Sequence, residues 1–197
     1  MTKSQSLPTH ALRLITYSEL EQYVRAFAYA DRLQELTLDK PIHASGKVCL
    51  RRGVTDSTVL IGFFHSEISM KSNPSQDSGL PKCFLGISTD GPSREGFFFS
   101  PIYRINGDGH GHALKNHPPR IFPDGKPHDW NLDYSPTDAD DRGEITVTLD
   151  KQSVRLPLGA GHKTNTHFNR FGLITTWIDG NSQTIYFDDL RYTCRQE

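Results

Sequence analysis

Glu144-Ile-Thr-Val-Thr-Leu149, Asp150-Lys151-Gln152 and Ser153-Val-Arg-Leu-Pro-Leu158 carry the clearest alternation in the sequence. Ile145, Val147 and Leu149 fall on every second position with Thr146 and Thr148 between them. Val154, Leu156 and Leu158 repeat the alternation beyond the polar turn. A period of two is that of a pleated strand with one buried face and one wet face, so the stretch predicts a hairpin on the surface of a sheet. Upstream, His128, Trp130, Leu132 and Tyr134 alternate with Asp129, Asn131 and Asp133 in the same way.

Further strand-like runs lie at 47–50, 58–65, 84–88, 96–105, 171–177 and 183–192. Between them stand turn formers: 73–79, Asn106-Gly-Asp-Gly109, Pro123-Asp-Gly125 and Asp179-Gly-Asn181. Asp-Gly pairs supply the positive φ that tight reversals need. About nine short strands with frequent turns is the pattern of an all-β sandwich of two antiparallel sheets. One helix is expected, over 18–33: Ser18 stands three residues before Glu21 as in a capping box, and Leu20, Val24, Phe27 and Ala28 follow at helical spacing. Residues 1–17 read as a polar tail and 18–197 as one domain, since 197 residues allow one sizeable core.

Composition narrows the function. There are 22 Lys and Arg against 23 Asp and Glu, a net charge of −1, with no basic run. That removes the electrostatic footprint required to bind a phosphate backbone, so no nucleic-acid partner is expected. No stretch reaches the roughly 20 apolar residues that span a bilayer, and MTKSQSLPTH lacks the apolar core of a secretory signal. Neither a membrane partner nor a leader is expected within these residues, and the chain would fit a module of a longer exported protein. Cys49, Cys83 and Cys194 are odd in number and widely spaced, which allows at most one disulfide and no zinc-type CxxC.

Five segments taken in order carry a resemblance: Pro123-Asp-Gly125; His128-x-Trp-x-Leu-x-Tyr134; Gly143-x-Ile-Thr-Val-Thr-Leu-Asp150; Phe168-Asn-Arg-Phe-Gly-Leu173; and Asp179-Gly-Asn-x-Gln183-x-x-Tyr-Phe-Asp-Asp-Leu190. Together they resemble the concanavalin A-like jelly-roll sandwiches. In particular they resemble bacterial, planctomycete-type domains that end in a Tyr-Phe-Asp-Asp-Leu-x-Tyr-Thr strand. The resemblance implies a concave face or rim that binds or cuts glycans. It also implies a structural calcium held by Asp188 or Asp189, the competing reading being carboxylates that accept hydrogen bonds from the backbone, Arg170 or Arg191. Carbonyls of the N-terminal segment would complete that calcium site, and no cofactor is required.

Polar residues set in aromatic strands are the candidates for a ligand face, because burying them costs energy unless they meet partners or a cleft. His65 and Glu67 follow the apolar run 59–64; Arg94 and Glu95 precede Phe97 to Phe99; Tyr103 and Arg104 follow it. Trp177, entering the turn at 178–181, would stack on a sugar if exposed. Arg94, Tyr103, Arg104, Glu67 and Trp177 are the expected ligand contacts of a carbohydrate-binding module for a polysaccharide or oligosaccharide, acidic or neutral. The alternative is a polysaccharide lyase, in which Arg94 neutralises a uronate carboxylate and His65 and Tyr103 move the protons. A third reading is a scaffold in which these groups satisfy one another. Neither a Glu-x-Asp-x-x-Glu strand nor a Gln-x-His strand occurs, which counts against a glucanase and weakens the lyase. The segment Asn106-Gly-Asp-Gly-His-Gly-His112 reads as a mobile polar loop, or, on a strand, as two histidines sharing a face.

Overall fold

The structure is a computed structural model that describes residues 2–4, 27–54, 57–69, 80–91, 95–175 and 183–196. In chain order the strands are β1 (Thr2–Ser4), β2 (Phe27–Thr37), β3 (Ile42–Arg52), β4 (Val59–Phe64), β5 (Phe84–Asp90), β6 (Phe97–Arg104), β7 (His110–His112), β8 (Arg120–Ile121), β9 (Pro127–Ser135), β10 (Glu144–Leu149), β11 (Gln152–Pro157), β12 (His167–Thr175) and β13 (Thr184–Thr193). One sheet runs β1-β13-β3-β9-β10-β11. The other runs β2-β12-β4-β5-β6-β7, with β8 also on β6, and all pairings are antiparallel.

The hairpin at 144–158 forms as its alternation requires. Glu144 to Leu149 pairs with Pro157 to Gln152, and Ile145, Val147, Leu149, Val154 and Leu156 are buried. The six-stranded sheet keeps its other face polar, which lets a chain of 35% hydrophobic content close a core. Between the sheets Phe171 stacks on Tyr192 with ring centroids 4.2 Å apart. Phe63 tilts against Phe171 at 4.9 Å, and Trp130 meets Phe187 edge-on at 6.2 Å.

The seven-stranded sheet departs from alternation. Every residue of β4 is buried, and its outward-facing Leu60, Phe64, Phe84, Ile102 and Ile174 join Leu80 in a second apolar cluster. Gly172, Gly62 and Gly86 stand in register across three adjacent strands of that same face.

The helix expected over 18–33 needs correction where it can be compared: 27–33 belong to β2, while 18–26 lie outside the described residues. From Leu36 to Arg32, β2 advances four residues while β12 advances two, between Phe168 and Arg170. This bulge buries both Leu33 and Leu36, three apart on the strand. The segment Asn106 to His112 is likewise no mere loop, since 110–112 pair with β6 as β7. Among the described residues Cys49, Cys83 and Cys194 form no disulfide with one another. Among the described residues no helix is long and apolar enough to cross a membrane.

Candidate functional site

Strand β6 brings the expected site residues into the structure and also separates them. Phe97, Phe99 and Tyr103 point between the sheets, whereas Phe98, Ser100, Ile102 and Arg104 lie on the outer face of the seven-stranded sheet. Tyr103 is buried; its hydroxyl accepts the Gly159 amide at 2.9 Å and bonds His162 Nδ1 at 2.8 Å. Burial pushes the Tyr103 phenol up from its ordinary value, so it stays protonated. Arg104, on the opposite side, is buried and donates to the Leu80 carbonyl at 2.7 Å.

His65 ends β4 as a turn former. Its Nδ1 accepts the amides of Glu67 and Ile68 at 3.2 and 3.3 Å, and its own amide donates to Ser69 Oγ at 2.9 Å. Glu67 is exposed on that turn. Arg94 and Trp177 lie outside the described residues. The structure therefore does not gather His65, Tyr103 and Arg104 into one cleft.

Asp188 and Asp189, the residues of the expected calcium site, lie at a bulge in β13. A bulge between Asp188 and Arg191 leaves both carboxylates exposed on one face, and Asp188 Oδ1 accepts the amide of Asp189 at 2.8 Å. The residue in register with Asp188 is Lys47, a cation. Among the described residues no group of three or more His, Cys, Asp or Glu is placed to hold a metal.

What pairing does assemble is a polar patch on the outer face of the seven-stranded sheet. Ser88 and Ser100 stand opposite each other on β5 and β6, buried, with hydroxyls 3.2 Å apart. His112 on β7 sets Nε2 2.9 Å from the first and 2.8 Å from the second. Burial lowers the His112 pKa from its ordinary value, with the Asp90 carboxylate opposing in part. The next row carries Asp90, which accepts from Thr58 Oγ1 at 3.0 Å, then Phe98 and Arg120 in register. The Arg120 guanidinium sits 5.1 Å over the Phe98 ring and pairs with Glu95 at 3.4 Å. Phe122, one residue beyond β8, keeps 49% of its surface exposed. The signal for this patch was faint before pairing: two serines within apolar runs, and a histidine in a glycine-rich segment.

His112 makes stability depend on pH. Below its ordinary pKa of 6.5 the unfolded chain takes up a proton that the folded imidazole resists. Stability should be full above that value and fall as pH drops through the lowered folded pKa. Urea midpoints at about pH 7.5 and about pH 5 should differ less in His112→Gln than in the parent chain. An equal pH dependence in both would place the sensitivity elsewhere.

No family model matches the chain, and no curated protein matches it in sequence. Solved structures do. The carbohydrate recognition domain of Emp46p in its metal-free form aligns with a TM-score of 0.53 at 12% identity, covering 100% of this chain and 88% of that one. The carbohydrate recognition domain of Emp47p aligns at 0.52 and 12%, with the same coverage. An alginate lyase from Pseudomonas aeruginosa aligns at 0.48 and 13%, covering 80% of this chain, which spans 66% of the lyase's length. At such identities the likeness is one of architecture, and the architecture is the concanavalin A-like jelly-roll sandwich.

Proposed function

We propose that the chain is a carbohydrate-binding β-sandwich module that takes a polysaccharide or oligosaccharide along the outer face and edge of its seven-stranded sheet. Phe122 carries the reading: a large aromatic ring held 49% exposed beside the Arg120–Glu95 pair. An exposed ring flanked by hydrogen-bonding charges suits a sugar, whose CH face stacks while its hydroxyls find donors and acceptors. His112, Asp90 and Thr58, each partly exposed, extend the polar surface along the same face, with Ser88 and Ser100 buried beneath His112. Arg120, and Arg94 preceding Glu95 in the chain, support an acidic glycan. The strand Tyr186 to Thr193 supports placing the chain among planctomycete-type domains with that ending.

Affinity electrophoresis in gels containing neutral or uronate polysaccharides tests this. Retardation is expected in at least one gel, and Phe122→Ala should weaken it about tenfold, the value of roughly 1.4 kcal/mol of ring contact. Unretarded migration in every gel would sink the reading.

The second reading is a polysaccharide lyase. One observation favours it: His112 is partly exposed on the same face as Arg120, and with Nε2 held by Ser88 and Ser100 its Nδ1 is the nitrogen left to exchange a proton. His65 and Tyr103, the expected proton movers, are engaged with turn amides and with His162 and Gly159 instead. Release of unsaturated product from a uronate polymer, seen in the ultraviolet and lost in His112→Gln, would establish cutting; its absence leaves binding.

A further inference from the structure

The six-stranded sheet is polar outside and should be featureless, yet it is cut by a groove of about 320 Å³ where β3, β9 and β13 meet. The β13 bulge opens it. Between Asp188, opposite Lys47, and Arg191, opposite Ser45, two residues, Asp189 and Leu190, stand against the single Gly46, and Asp189 takes a left-handed φ of 52° to make room. Gly46 lets the bulged segment close over it on the core side: a Cβ there would lie 2.7 Å from the Asp188 carbonyl oxygen and 3.0 Å from Leu190 Cδ2. That Cβ would also come within 3.3 Å of Trp130 Nε1, which is buried without a hydrogen-bond partner among the described residues.

The walls carry charges of both signs. Lys47 is paired to Asp129 at 2.8 Å. Arg191 and Asn131 line the groove from β13 and β9, and their side chains have no partner among the described residues. Asp189, on the wall beside them, is an exposed carboxylate. An open guanidinium fork matches a planar carboxylate in two parallel hydrogen bonds, and Lys47 adds a second positive charge nearby. Asp189 and Asn131 offer an acceptor and an amide, the groups that read hydroxyls. The volume stands at the lower end of ligand sites, the size of one small molecule rather than a chain.

From this placement we propose that the groove is a second binding site, separate from the seven-stranded face, for a single acidic sugar residue. Its carboxylate goes to Arg191 and Lys47 and its hydroxyls go to Asp189 and Asn131. Nothing in this assignment depends on the aromatic edge at Phe122.

The test uses the ¹⁵N-labelled full chain. Its probes are free glucuronate, glucose and acetate, and its readouts are the Trp130 indole N–H and Asn131 side-chain amide signals. Trp177→Phe identifies the Trp130 signal by removing the other indole. Glucuronate should shift both signals saturably, glucose should not, and acetate should require a much higher concentration. Arg191→Ala should raise the glucuronate dissociation constant roughly tenfold or more, as loss of a bidentate charge-assisted contact requires. Asp189→Asn should weaken binding less. Both positions are exposed, and an unchanged thermal midpoint confirms that each variant folds. The proposal is overturned if glucuronate leaves both signals in place, if its shifts survive Arg191→Ala, or if acetate reproduces them at equal concentration.

Discussion

Phe171→Ala is expected to lower the free energy of unfolding by about 3–5 kcal/mol, the range for emptying a buried aromatic site. Phe171 sits on β12 with no exposed surface, stacked on Tyr192 of the opposite sheet and tilted against Phe63 of the neighbouring strand. Its removal strips a ring contact from both partners and leaves a void between two sheets that are each held by their own ladders. Such a void cannot collapse without moving a sheet. Tyr192 also donates to Asp31 Oδ2 at 2.6 Å, which anchors it and limits its drift into the space. Urea denaturation should show a lower midpoint with an unchanged slope. A loss below about 1 kcal/mol would mean that the two sheets slide together more freely than their packing indicates.

Gly62→Ala should cost about 3 kcal/mol, the upper end for inserting atoms into filled space. A Cβ there would stand 2.4 Å from the Leu85 carbonyl oxygen and 2.6 Å from the Gly86 Cα. Both obstacles are backbone, so no rotamer can yield, and β4 and β5 would have to part. Gly107→Ala is the matched control, because its Cβ would meet only Ile105 Cδ1 at 3.7 Å. Equal midpoints for the two variants would show that the strands separate at little cost.

The period of two was enough to reveal the sandwich. The alternation at 144–158 translates directly into the ladder of β10 and β11, and Trp130 lies in the core as its phase with Leu132 requires. The helix expectation rested on Leu20, Val24, Phe27 and Ala28; the part of it at 27–33 is instead drawn into β2 by pairing with β12, a long-range contact that local spacing does not report. For the candidate site, alternation already separates Tyr103 from Arg104. It cannot show that Ser88 meets Ser100 and His112, because that contact is set by the register between three strands. The groove beneath Arg191 was less legible still, since it depends on where a bulge falls along β13.

The order of strands within the sheets governs how the chain acquires its structure. β12 lies between β2 and β4, so Thr37 finds its partner only in His167, and β13 lies between β1 and β3. Each sheet is thus held together by a strand that leaves the ribosome after nearly all the others. Until then β2 is left without its neighbour, and the edges of β3 and β4 that will receive β13 and β12 stand unpaired, displaying open hydrogen-bonding groups beside apolar side chains. Pairings this distant along the chain make folding slow, on a scale of milliseconds to seconds for all-β domains. They also expose the nascent protein to association with other copies of itself during that wait. Shortening the interval between synthesis of β4 and β12, or lowering the temperature of expression, should therefore raise the soluble yield more than any gain in equilibrium stability.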